Sequence, residues 1–400
     1  MRILFLHNRY IYRGGEDESR EQEIAMLRAR GEEVLDYVLD NAEIKTENLV
    51  TVGIRSIWNA KEADRVKDLI RSNKPDLVKV DNFFPLLSPS VFAAAKAMGV
   101  PTALSVRNYR LICPSANLFR EGHVCTTCIG SKVALAAIQH RCYRQSYLQS
   151  AAVVASNAYA HLRGTWTHSV DCYIAVSSFV KQQLIEGGFP EDKILVKPNF
   201  ISDSGVGDGS GGYGLYVGRL TEEKGVRSLL KAWTDVPQSV SLKIIGDGPL
   251  EGVVRQASDA DPRIESLGRK SLSEVCEYLG KAAFLVFPSE WYEPFGRTIV
   301  EAYSKGTPVI AALTPPMKAM VEHDVTGLLY KPGDSKDLAS SVSILMASSE
   351  RLNLMRAQAR AKYLAVYTED QNYRQLMDIF HQCITNNSAQ PIRMESRLQQ

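Results

Sequence analysis

The sequence predicts an α/β protein of two domains, each built around a parallel β-sheet. Its 400 residues are enough for two domains of ordinary size. Hydrophobic residues make up 45% of the chain, which is enough apolar material for two cores. Short apolar runs are followed by glycine- or proline-marked turns and then by segments with helical spacing, which is typical of strand–helix units.

Charge and hydropathy narrow the class of protein further. The net charge of +2 favours no particular kind of partner, and we expect no nucleic acid among them. No apolar run approaches the roughly 18 residues that a membrane span requires. The opening segment MRILFLHNRY is interrupted by Arg9 and is not followed by a cleavage-like pattern of small residues, so it predicts a buried strand rather than a signal peptide. We therefore expect a cytoplasmic protein.

The first domain is predicted to begin with a strand from Arg2 to Asn8, a loop and then a helix. In that loop Gly14 and Gly15 let the backbone approach a phosphate at the helix N-terminus, although a plain turn explains them equally well. Two more strands are predicted within the proline-marked segments Pro75 to Phe84 and Pro101 to Arg110, with a helix between them.

Four cysteines lie within one short stretch, at Cys113, Cys125, Cys128 and Cys142. A CxxC pair with one outlying cysteine on each side is compatible with tetrahedral zinc. Buried free thiols and a redox pair are the alternatives. A stable disulfide framework is not expected in a cytoplasmic protein.

The segment from Cys142 to His168 mixes aromatic residues, arginines and many alanines. On a helix it would serve as an interfacial anchor or an acceptor-binding surface. The favoured interpretation is a core-facing helix whose arginines extend to solvent. A strand, a helix capped at Ser177 or Ser178 and a last strand ending near Asn199 complete this domain.

Composition divides the rest of the chain. The glycine- and serine-rich segment 201–214 predicts a flexible linker. Apolar spacing predicts a helix over Asn372 to Cys383, whereas the polar C-terminus lacks periodicity and predicts disorder. The predicted parts are a first domain at 1–200, the linker at 201–214, a second domain at 215–370, the helix at 371–385 and the tail at 386–400.

The motif EPFGRTIVE places two carboxylates, Glu293 and Glu301, at a strand-to-helix junction. The apolar run before it predicts a buried strand, and the segment after it predicts a short helix that ends at Gly306. The amides of Gly296, Arg297, Thr298 and Ile299 would form the helix N-terminus, which attracts phosphate. Flanked by carboxylates that bind sugar hydroxyls, this pattern outlines a nucleotide-sugar site, although an ordinary strand–glycine–helix turn is the alternative.

Three other strand ends carry related chemistry. The turn Gly218 to Gly225 contains Arg219 and Lys224, two cations suited to a diphosphate. The segments KIIGDGP and SLGRKS end further strands in glycine turns that a flat ligand can approach closely. Because the carboxyl ends of successive parallel strands line one crevice, we expect a single site.

The order GRLxxxKG, GDGP, LG and EPFGxxxxE resembles the glycosyltransferases of family 4, the retaining enzymes of the GT-B fold. In the first half, RGGEDES, DNFFPLLSPSV and RNYRLICP followed by clustered cysteines resemble a subgroup of that family. The resemblance covers nearly the whole chain. It implies two Rossmann-like domains facing a central cleft, with the C-terminal helix returning to the N-terminal domain.

The resemblance also implies a function: metal-independent, retaining transfer of a hexosyl group from a nucleotide-diphosphate sugar to a glycan or polyprenyl-linked acceptor. No catalytic cofactor is expected, and the chain would act in polysaccharide biosynthesis, at the inner face of the membrane where the acceptor is lipid-linked. Arg219 and Lys224 would hold the diphosphate, Glu293 the donor sugar and Glu301 the ribose. The other donor contacts are implied at Gly14, Gly15, Arg107, Asn108, Gly218, Gly246, Gly248, Gly268, Arg269, Phe295, Gly296, Arg297, Thr298 and Ile299.

Three positions depart from the family pattern. Relatives commonly have histidine where Arg107 and Asp81 stand, and glutamate near Lys318. An arginine cannot act as a base. Retaining enzymes of this fold are thought to let the leaving phosphate deprotonate the acceptor, so the change is compatible with activity. It also motivates the alternative of a non-catalytic nucleotide-sugar-binding subunit of a glycan-assembly complex. A nucleotide-sugar epimerase or a phosphorylase would have no need of the EPFG loop in this form.

Overall fold

A computed structural model describes residues 1–11 and 14–388 of the chain. The chain divides into two compact units. The first contains Met1–Ala116, Thr126–Lys197 and the residues from Tyr373 onward. The second contains Pro198–Asn372 together with Asn117–Cys125, a segment that lies inside the range 1–200 predicted for the first domain.

Unit 1 contains a six-stranded parallel sheet in the order β2-β1-β3-β4-β7-β8, and β1 begins at Arg2 as predicted. Strands β1, β3, β4 and β7 are almost wholly buried, because helices cover a parallel sheet on both faces. The antiparallel hairpin β5–β6, which interrupts this part of the chain, lies in Asn117–Cys125 and therefore belongs to unit 2. The strands are β1 (Arg2–Arg9), β2 (Glu33–Asp40), β3 (Leu77–Asn82), β4 (Thr102–Val106), β5 (Phe119–Arg120), β6 (His123–Val124), β7 (Cys172–Ala175) and β8 (Ile194–Val196).

The helices of unit 1 connect these strands. Ser177 caps the last of them with its hydroxyl, which accepts the Val180 amide at 3.2 Å. Asn48 and Asn59 cap two helices in a region for which the sequence pattern predicted no elements. The helices are α1 (Gly15–Ala29), α2 (Leu49–Ile57), α3 (Ala60–Asn73), α4 (Ser90–Ala97), α5 (Leu135–Gln139), α6 (Tyr147–Leu162) and α7 (Ser178–Glu186).

Unit 2 contains a second six-stranded parallel sheet, in the order β11-β10-β9-β12-β13-β14. Two buried apolar clusters fill its interior. The strands are β9 (Gly214–Val217), β10 (Leu242–Ile245), β11 (Ile264–Gly268), β12 (Phe284–Phe287), β13 (Val309–Ala312) and β14 (Gly327–Tyr330). The helices are α8 (Val226–Trp233), α9 (Glu251–Ala260), α10 (Leu272–Lys281), α11 (Arg297–Ser304), α12 (Pro315–Met320), α13 (Ser335–Met346) and α14 (Ser349–Val366).

The segment predicted as a flexible linker is held on unit 2. The amides of Gly207, Gly209 and Gly211 donate to the carbonyls of Lys305, Gly280 and Lys281 at 2.9 to 3.0 Å. Arg356 donates to the Gly207 carbonyl at 2.8 Å. The glycine- and serine-rich composition correctly predicted a segment without helix or strand. It also suggested flexibility, whereas these backbone hydrogen bonds attach the segment to unit 2.

The last helix, α15 (Glu369–Ser388), begins in unit 2 and belongs to unit 1 from Tyr373 onward. Phe380 and Cys383 are buried, and the Tyr373 hydroxyl donates to Glu32 at 2.8 Å. The predicted disordered tail at 386–400 begins inside this helix, and residues 389–400 lie outside the described residues. Among the described helices, none combines the length and apolar content needed to cross a bilayer.

Candidate active site

The sequence-predicted residues of unit 2 lie at the carboxyl edge of its sheet. With β9 numbered as strand 1 of unit 2, the strands lie across the sheet in the order 3-2-1-4-5-6. Strands are added on one side of β9 up to β11 and on its other side from β12 onward, so the loops that follow β9 and β12 diverge. Such a switch point opens a crevice at the carboxyl ends of the strands. Backbone hydrogen bonds join the surrounding loops: the Leu220 amide donates to the Asp247 carbonyl at 2.8 Å, and the Gly246 amide to the Gly268 carbonyl at 3.0 Å.

Two glycines are required by the close approach of these loops. Gly246 has φ +150°, and a Cβ there would lie 1.9 Å from the Gly218 carbonyl oxygen. Gly248 has φ +148°, and its Cβ would lie 2.7 Å from the Leu220 carbonyl oxygen. No side chain fits at these distances, so the GDGP motif brings bare backbone to the crevice.

Lys224 and Glu293, predicted as cation and sugar ligand, form an ion pair in this structure. The Lys224 ammonium lies 2.5 Å from Glu293 Oε2, and the Trp291 indole N–H donates to the same oxygen at 2.9 Å. The Ser289 hydroxyl also approaches Oε2, at 3.3 Å. The three donors converge on Oε2, and Oε1 has no donor within the described part of the chain. The carboxylate is therefore oriented with one oxygen available to a ligand.

Arg219 is one of two exposed arginines at the site. Its backbone carbonyl accepts the Tyr216 hydroxyl at 2.8 Å, which fixes the turn, while its guanidinium forms no ion pair with any described residue. Arg269, at the end of β11, is exposed and lies 3.8 Å from Asp247, a distance at which an exposed pair contributes little. Both guanidiniums are thus available to an anion.

The N-terminus of α11 offers fewer amides than the sequence predicted. The Gly296 N–H donates to Met320 Sδ at 3.3 Å, and the Arg297 and Ile299 amides donate to the carbonyls of Phe295 and Gly296 at 3.0 Å. These contacts form because the Pro294–Gly296 turn closes tightly onto the helix. Of the four predicted donors, Thr298 remains, in the first turn where the helix itself supplies no acceptor.

Glu301 lies inside α11 and is buried, with its Oε1 at 3.0 Å from Arg297 Nε one turn earlier. The pair is of the i,i+4 type that stabilises helices. Phe295 is half-buried and packs edge-on against Tyr367, with the ring centroids 6.3 Å apart. Both residues are therefore fixed by their own unit.

Arg107 of unit 1 is engaged in a buried cluster of charges. Its Nη1 lies 2.6 Å from Asp81 Oδ1, and its Nη2 lies 3.5 Å from Glu23 Oε2. The Lys79 ammonium contacts the same two carboxylates at 2.6 and 2.7 Å, and Lys197 lies 3.0 Å from Glu23. Arg107, predicted to contact the donor sugar, is thus held by two carboxylates of its own unit.

This network shifts the ionisation of its acids. Burial alone would raise the pKa of Glu23, but the ammonium groups of Lys197 and Lys79 outweigh it and lower that pKa to about 2. Burial likewise opposes ionisation of Asp81, and Lys79 and Arg107 hold its pKa well below the ordinary value. Both groups are carboxylates at neutral pH, so the network is ionic.

The other predicted residues of unit 1 are also bound within the unit. The Asn108 amide donates to Glu16 Oε1 at 2.7 Å, and its carbonyl accepts the Arg110 N–H at 2.9 Å. At the N-terminus of α1, the Gly14 N–H donates to Asp17 at 3.1 Å. Gly14 has extended backbone and open space at its Cβ position, and Gly15 is the first residue of α1. The Asp17 side chain therefore accepts the Gly14 amide at the end of the helix that was predicted for phosphate.

The four clustered cysteines are free thiols in this structure. Cys113 is buried, with its sulfur 3.1 Å from the Ser115 hydroxyl, and Cys125, Cys128 and Cys142 are half-buried. Within residues 1–11 and 14–388, no three histidine, cysteine, aspartate or glutamate side chains are grouped as ligands. Cys125 belongs to unit 2 and the other three cysteines to unit 1, and a zinc site that they share stays a prediction.

Sequence reasoning missed three polar groups of the site. Ser289 and Trp291 orient Glu293, and the buried Thr221 hydroxyl lies between Arg219 and Lys224 in sequence, with no partner among the described residues. The signal was present for Ser289 alone, a polar residue at the end of an apolar run. Trp291 and Thr221 carry no pattern that separates them from ordinary loop residues.

Two family models match this chain, and together they span most of it. The model "Glycosyltransferase Family 4" matches residues 27–204, and "Glycosyl transferases group 1" matches residues 208–362, which contain the crevice described above. Both models describe glycosyltransferases and each matches less than half of the chain, so each half is similar to a glycosyltransferase family. The family resemblance seen in the motifs is thus confirmed at this level, while the subgroup indicated by the cysteines stays a prediction.

Curated glycosyltransferases are similar over part of their length. An uncharacterised glycosyltransferase of Methanocaldococcus jannaschii is 32% identical over 46% of this chain and 52% of its own. A lipopolysaccharide 1,6-galactosyltransferase of Escherichia coli is 32% identical over 44% of this chain and 51% of its own. The chain therefore spans about half the length of these two curated relatives.

Among solved structures, HepE of Anabaena in complex with UDP-glucose has a similar fold. Its TM-score is 0.67 at 18% identity, over 98% of this chain and all of that one. The predicted GT-B fold, an α/β protein with two parallel sheets, is confirmed.

Proposed function

We propose that the chain is a metal-independent, retaining glycosyltransferase that moves a hexosyl group from a nucleotide-diphosphate sugar to a hydroxyl of a glycan or lipid-linked acceptor. One observation carries the proposal. The exposed Arg219 guanidinium, the bare glycine turn at Gly246 and the Lys224–Glu293 pair, whose carboxylate has one oxygen without a donor among the described residues, lie at the switch point of one parallel sheet. That combination suits a diphosphate joined to a polyhydroxylated ring.

In this proposal each group has a distinct role. Arg219 and Lys224 hold the diphosphate and stabilise the charge that develops on it as the glycosyl bond breaks. Glu293 Oε1 accepts a hydroxyl of the donor sugar. Glu301 accepts the ribose hydroxyls, with Arg297 holding its carboxylate in place. The turns at Gly246, Gly248 and Gly268, and the Thr298 amide, surround the nucleotide.

The bond between the anomeric carbon and the diphosphate oxygen breaks, and its electron pair leaves with the diphosphate. The acceptor oxygen bonds to the same face of the anomeric carbon, and its proton passes to the departing phosphate oxygen. No protein base is required in this route, so Arg107 in place of a histidine is compatible with it. The two cations carry the charge that a divalent ion would otherwise neutralise.

Donor turnover across UDP-, GDP-, ADP- and CDP-sugars tests the proposal. UDP-glucose comes first, because HepE was solved with it. We expect one donor to release nucleotide, and Glu301→Gln to weaken its binding because one ribose acceptor is lost. Glu251→Gln, an exposed glutamate of α9 paired with Arg255, is the control and should leave turnover unchanged. A chain that binds no nucleotide sugar would overturn the proposal.

A second candidate is a non-catalytic nucleotide-sugar-binding subunit. The observation that favours it is the engagement of Arg107 by Asp81 and Glu23, which leaves the histidine position of the family without a free side chain. Such a subunit would bind a donor with measurable affinity and release no nucleotide, even with a panel of glycan and lipid-linked acceptors. Turnover of any donor would exclude it.

A further inference from the structure

A cavity of about 300 Å³ lies in unit 1 between α2 and α6. Ile54 and Leu148 line two of its walls, and Phe84 and Pro85 lie on the β3 side. Its lining is apolar apart from four polar or charged side chains at Asn41, Ser56, Arg144 and Gln149. The volume is at the lower end of small-molecule sites, roughly 300–1,000 Å³.

Large apolar side chains surround this cavity and remain in solvent. Leu49, Val50 and Ile54 of α2 are 53 to 63% exposed, and Leu148 of α6 is 57% exposed. The aliphatic side chains of both helices are thus concentrated at one place on unit 1. An exposed apolar patch that continues into an apolar cavity indicates a binding site rather than a scattering of surface residues.

The chain segment that supplies the α6 side of the cavity is basic, whereas Glu43 and Glu47 lie beside lining residues on the α2 side. From Gly122 to Val170 the chain contains no aspartate or glutamate, although it has 45 acidic residues in total. Within the part of the chain that the structure describes, the guanidiniums of Arg141, Arg144 and Arg163 pair with no carboxylate. Each lies 5.1 to 5.5 Å from the centre of an aromatic ring, on Tyr147, Tyr143 and Trp58 respectively. These cations are held in place and have no anionic partner.

We propose that this cavity binds the hydrocarbon chain of an anionic lipid whose phosphate pairs with Arg144. The apolar walls match the chain, and the Arg144 guanidinium in the lining, which pairs with no described carboxylate, matches the headgroup. A free sugar would leave the apolar walls unused, and an apolar peptide would leave the arginines without a partner. The site lies in unit 1 and needs no turnover, so it stands independently of the proposed function.

This site revises the sequence-based interpretation of α6. The favoured reading was a helix that faces the core, and Val153, Val154 and Ala160 are indeed buried. The same helix also presents Leu148 and Tyr147 to solvent beside the cavity. One face of α6 thus packs in the core, and another face borders the proposed lipid-chain site.

Calorimetric titration with hexyl, octyl and decyl phosphate, each below its micelle concentration, tests the proposal, with inorganic phosphate as the headgroup alone. Affinity should rise about fourfold for each methylene buried, because each contributes about 0.8 kcal/mol. Inorganic phosphate should bind at least a hundredfold more weakly than decyl phosphate. Equal affinity along the series would overturn the proposal, as would no binding of decyl phosphate.

Three variants locate the site. Ala152→Phe fills the cavity and should abolish the dependence on chain length, and Leu148→Ser, at an exposed position, should weaken decyl phosphate several-fold without a folding defect. Arg144→Gln should weaken the whole series by one common factor. Leu354→Ser, an exposed leucine of α14, is the matched control and should change nothing. Circular dichroism checks the fold of each.

A different ligand or partner at this site would give different results in these experiments. If Ala152→Phe removes binding to the single-chain probes, the lipid-chain site stands. If that variant binds decyl phosphate as the native chain does, the proposal fails. It also fails if only phosphatidylglycerol vesicles bind, with Ala152→Phe unaffected, because the patch then contacts a membrane surface without taking up a chain. A dimer in sedimentation that dissociates with Leu148→Ser, without lipid binding, would assign the patch to self-association.

Discussion

The carboxyl edges of the two sheets carry similar charged residues and use them in opposite ways. In unit 1, Lys79, Lys197 and Arg107 are buried against Glu23 and Asp81. In unit 2 the Arg219 guanidinium is exposed and pairs with no described carboxylate. Both sheets are parallel, six-stranded and followed by helices, so the architecture does not account for the difference. The capacity of such an edge to bind an anion depends on whether its cations are already neutralised.

The two edges also differ in what exchange of a partner would cost. A buried ion pair that loses one member leaves an uncompensated charge in a low-dielectric interior, so the network in unit 1 is fixed. The Lys224–Glu293 pair is partly solvated, with about a fifth of the lysine side chain exposed, and it can yield to a ligand at lower cost. We expect the charges at the sheet edge of unit 1 to govern stability and those at the sheet edge of unit 2 to govern binding.

The largest expected effect is on the stability of unit 1. Asp81→Asn removes one of the two buried carboxylates that Lys79 and Arg107 share and leaves only Glu23, and it should lower the free energy of unfolding by about 3–5 kcal/mol. Urea unfolding measures this. Asp64→Asn removes an exposed carboxylate paired with Lys67 and should change stability by less than about 0.5 kcal/mol. Equal losses in the two variants would contradict the assigned role of the buried network.

Activity should depend most on Lys224. Lys224→Ala removes a cation that the proposed mechanism places on the leaving diphosphate, and should reduce turnover about 10²–10³-fold. Steady-state kinetics with the donor identified above measures it. Lys231→Ala, at an exposed lysine of the next helix, should keep native turnover. A loss confined to KM would show that Lys224 binds the donor without stabilising the transition state.

Substitution of Gly246 tests how closely the loops approach one another at the carboxyl edge of the sheet in unit 2. Gly246→Ala places a Cβ against the Gly218 carbonyl and should cost about 1–3 kcal/mol of stability, together with nucleotide binding. Thermal unfolding and nucleotide titration measure the two effects. Gly252→Ala lies in α9 with open space at its Cβ and should stabilise the chain by up to about 1 kcal/mol. Tolerance of alanine at 246 would mean that the loops separate easily.

Low pH should reduce the stability that the buried charge network of unit 1 contributes. The folded-state pKa values of Glu23 and Asp81 are lowered, so the stability they contribute is complete above their unfolded values of 4.5 and 3.8. It is lost as pH falls from about 4.5 toward 2, with a slope of about 1.4 kcal/mol per pH unit for each proton taken up. Unfolding free energies at pH 6, 4 and 3 measure the decline. Asp81→Asn should show a shallower slope, and an unchanged slope would place the titrating groups elsewhere.

The smallest effect is expected at Arg269. Its guanidinium is mostly exposed and 3.8 Å from Asp247, so Arg269→Ala should leave stability within about 0.5 kcal/mol and change donor affinity less than about threefold. Binding of UDP-, GDP- and ADP-glucose measures the change. A shift in preference among the three bases would show instead that this side chain reads the nucleotide.

The sequence predicted the strands that carry the site, because apolar runs that end in glycine turns are strong local signals. The strands ending near Val217, Ile245, Gly268 and Phe287 were all placed correctly. Elements between Glu33 and Asn73 were not predicted. One helix there, α2, exposes apolar residues, which weakens the amphipathic contrast that periodicity depends on.

Partners across long separations could not be predicted from local patterns. The Lys224–Glu293 pair joins residues on two separate loops, and Met320 reaches Gly296 from another helix. Asp81 lies in β3 and Arg107 directly follows the neighbouring strand β4, and only the sheet order brings their side chains together. Residue types were therefore predictable, while which of them are already paired required the structure.

The contact between Met320 and Gly296 has a consequence for the proposed donor site. A thioether sulfur is a weak hydrogen-bond acceptor, so the Gly296 amide is paired without being held firmly. In the proposed function, a phosphate oxygen would be the stronger acceptor and could replace the sulfur at this amide. A carboxylate at position 320 would hold the same amide too firmly to give it up.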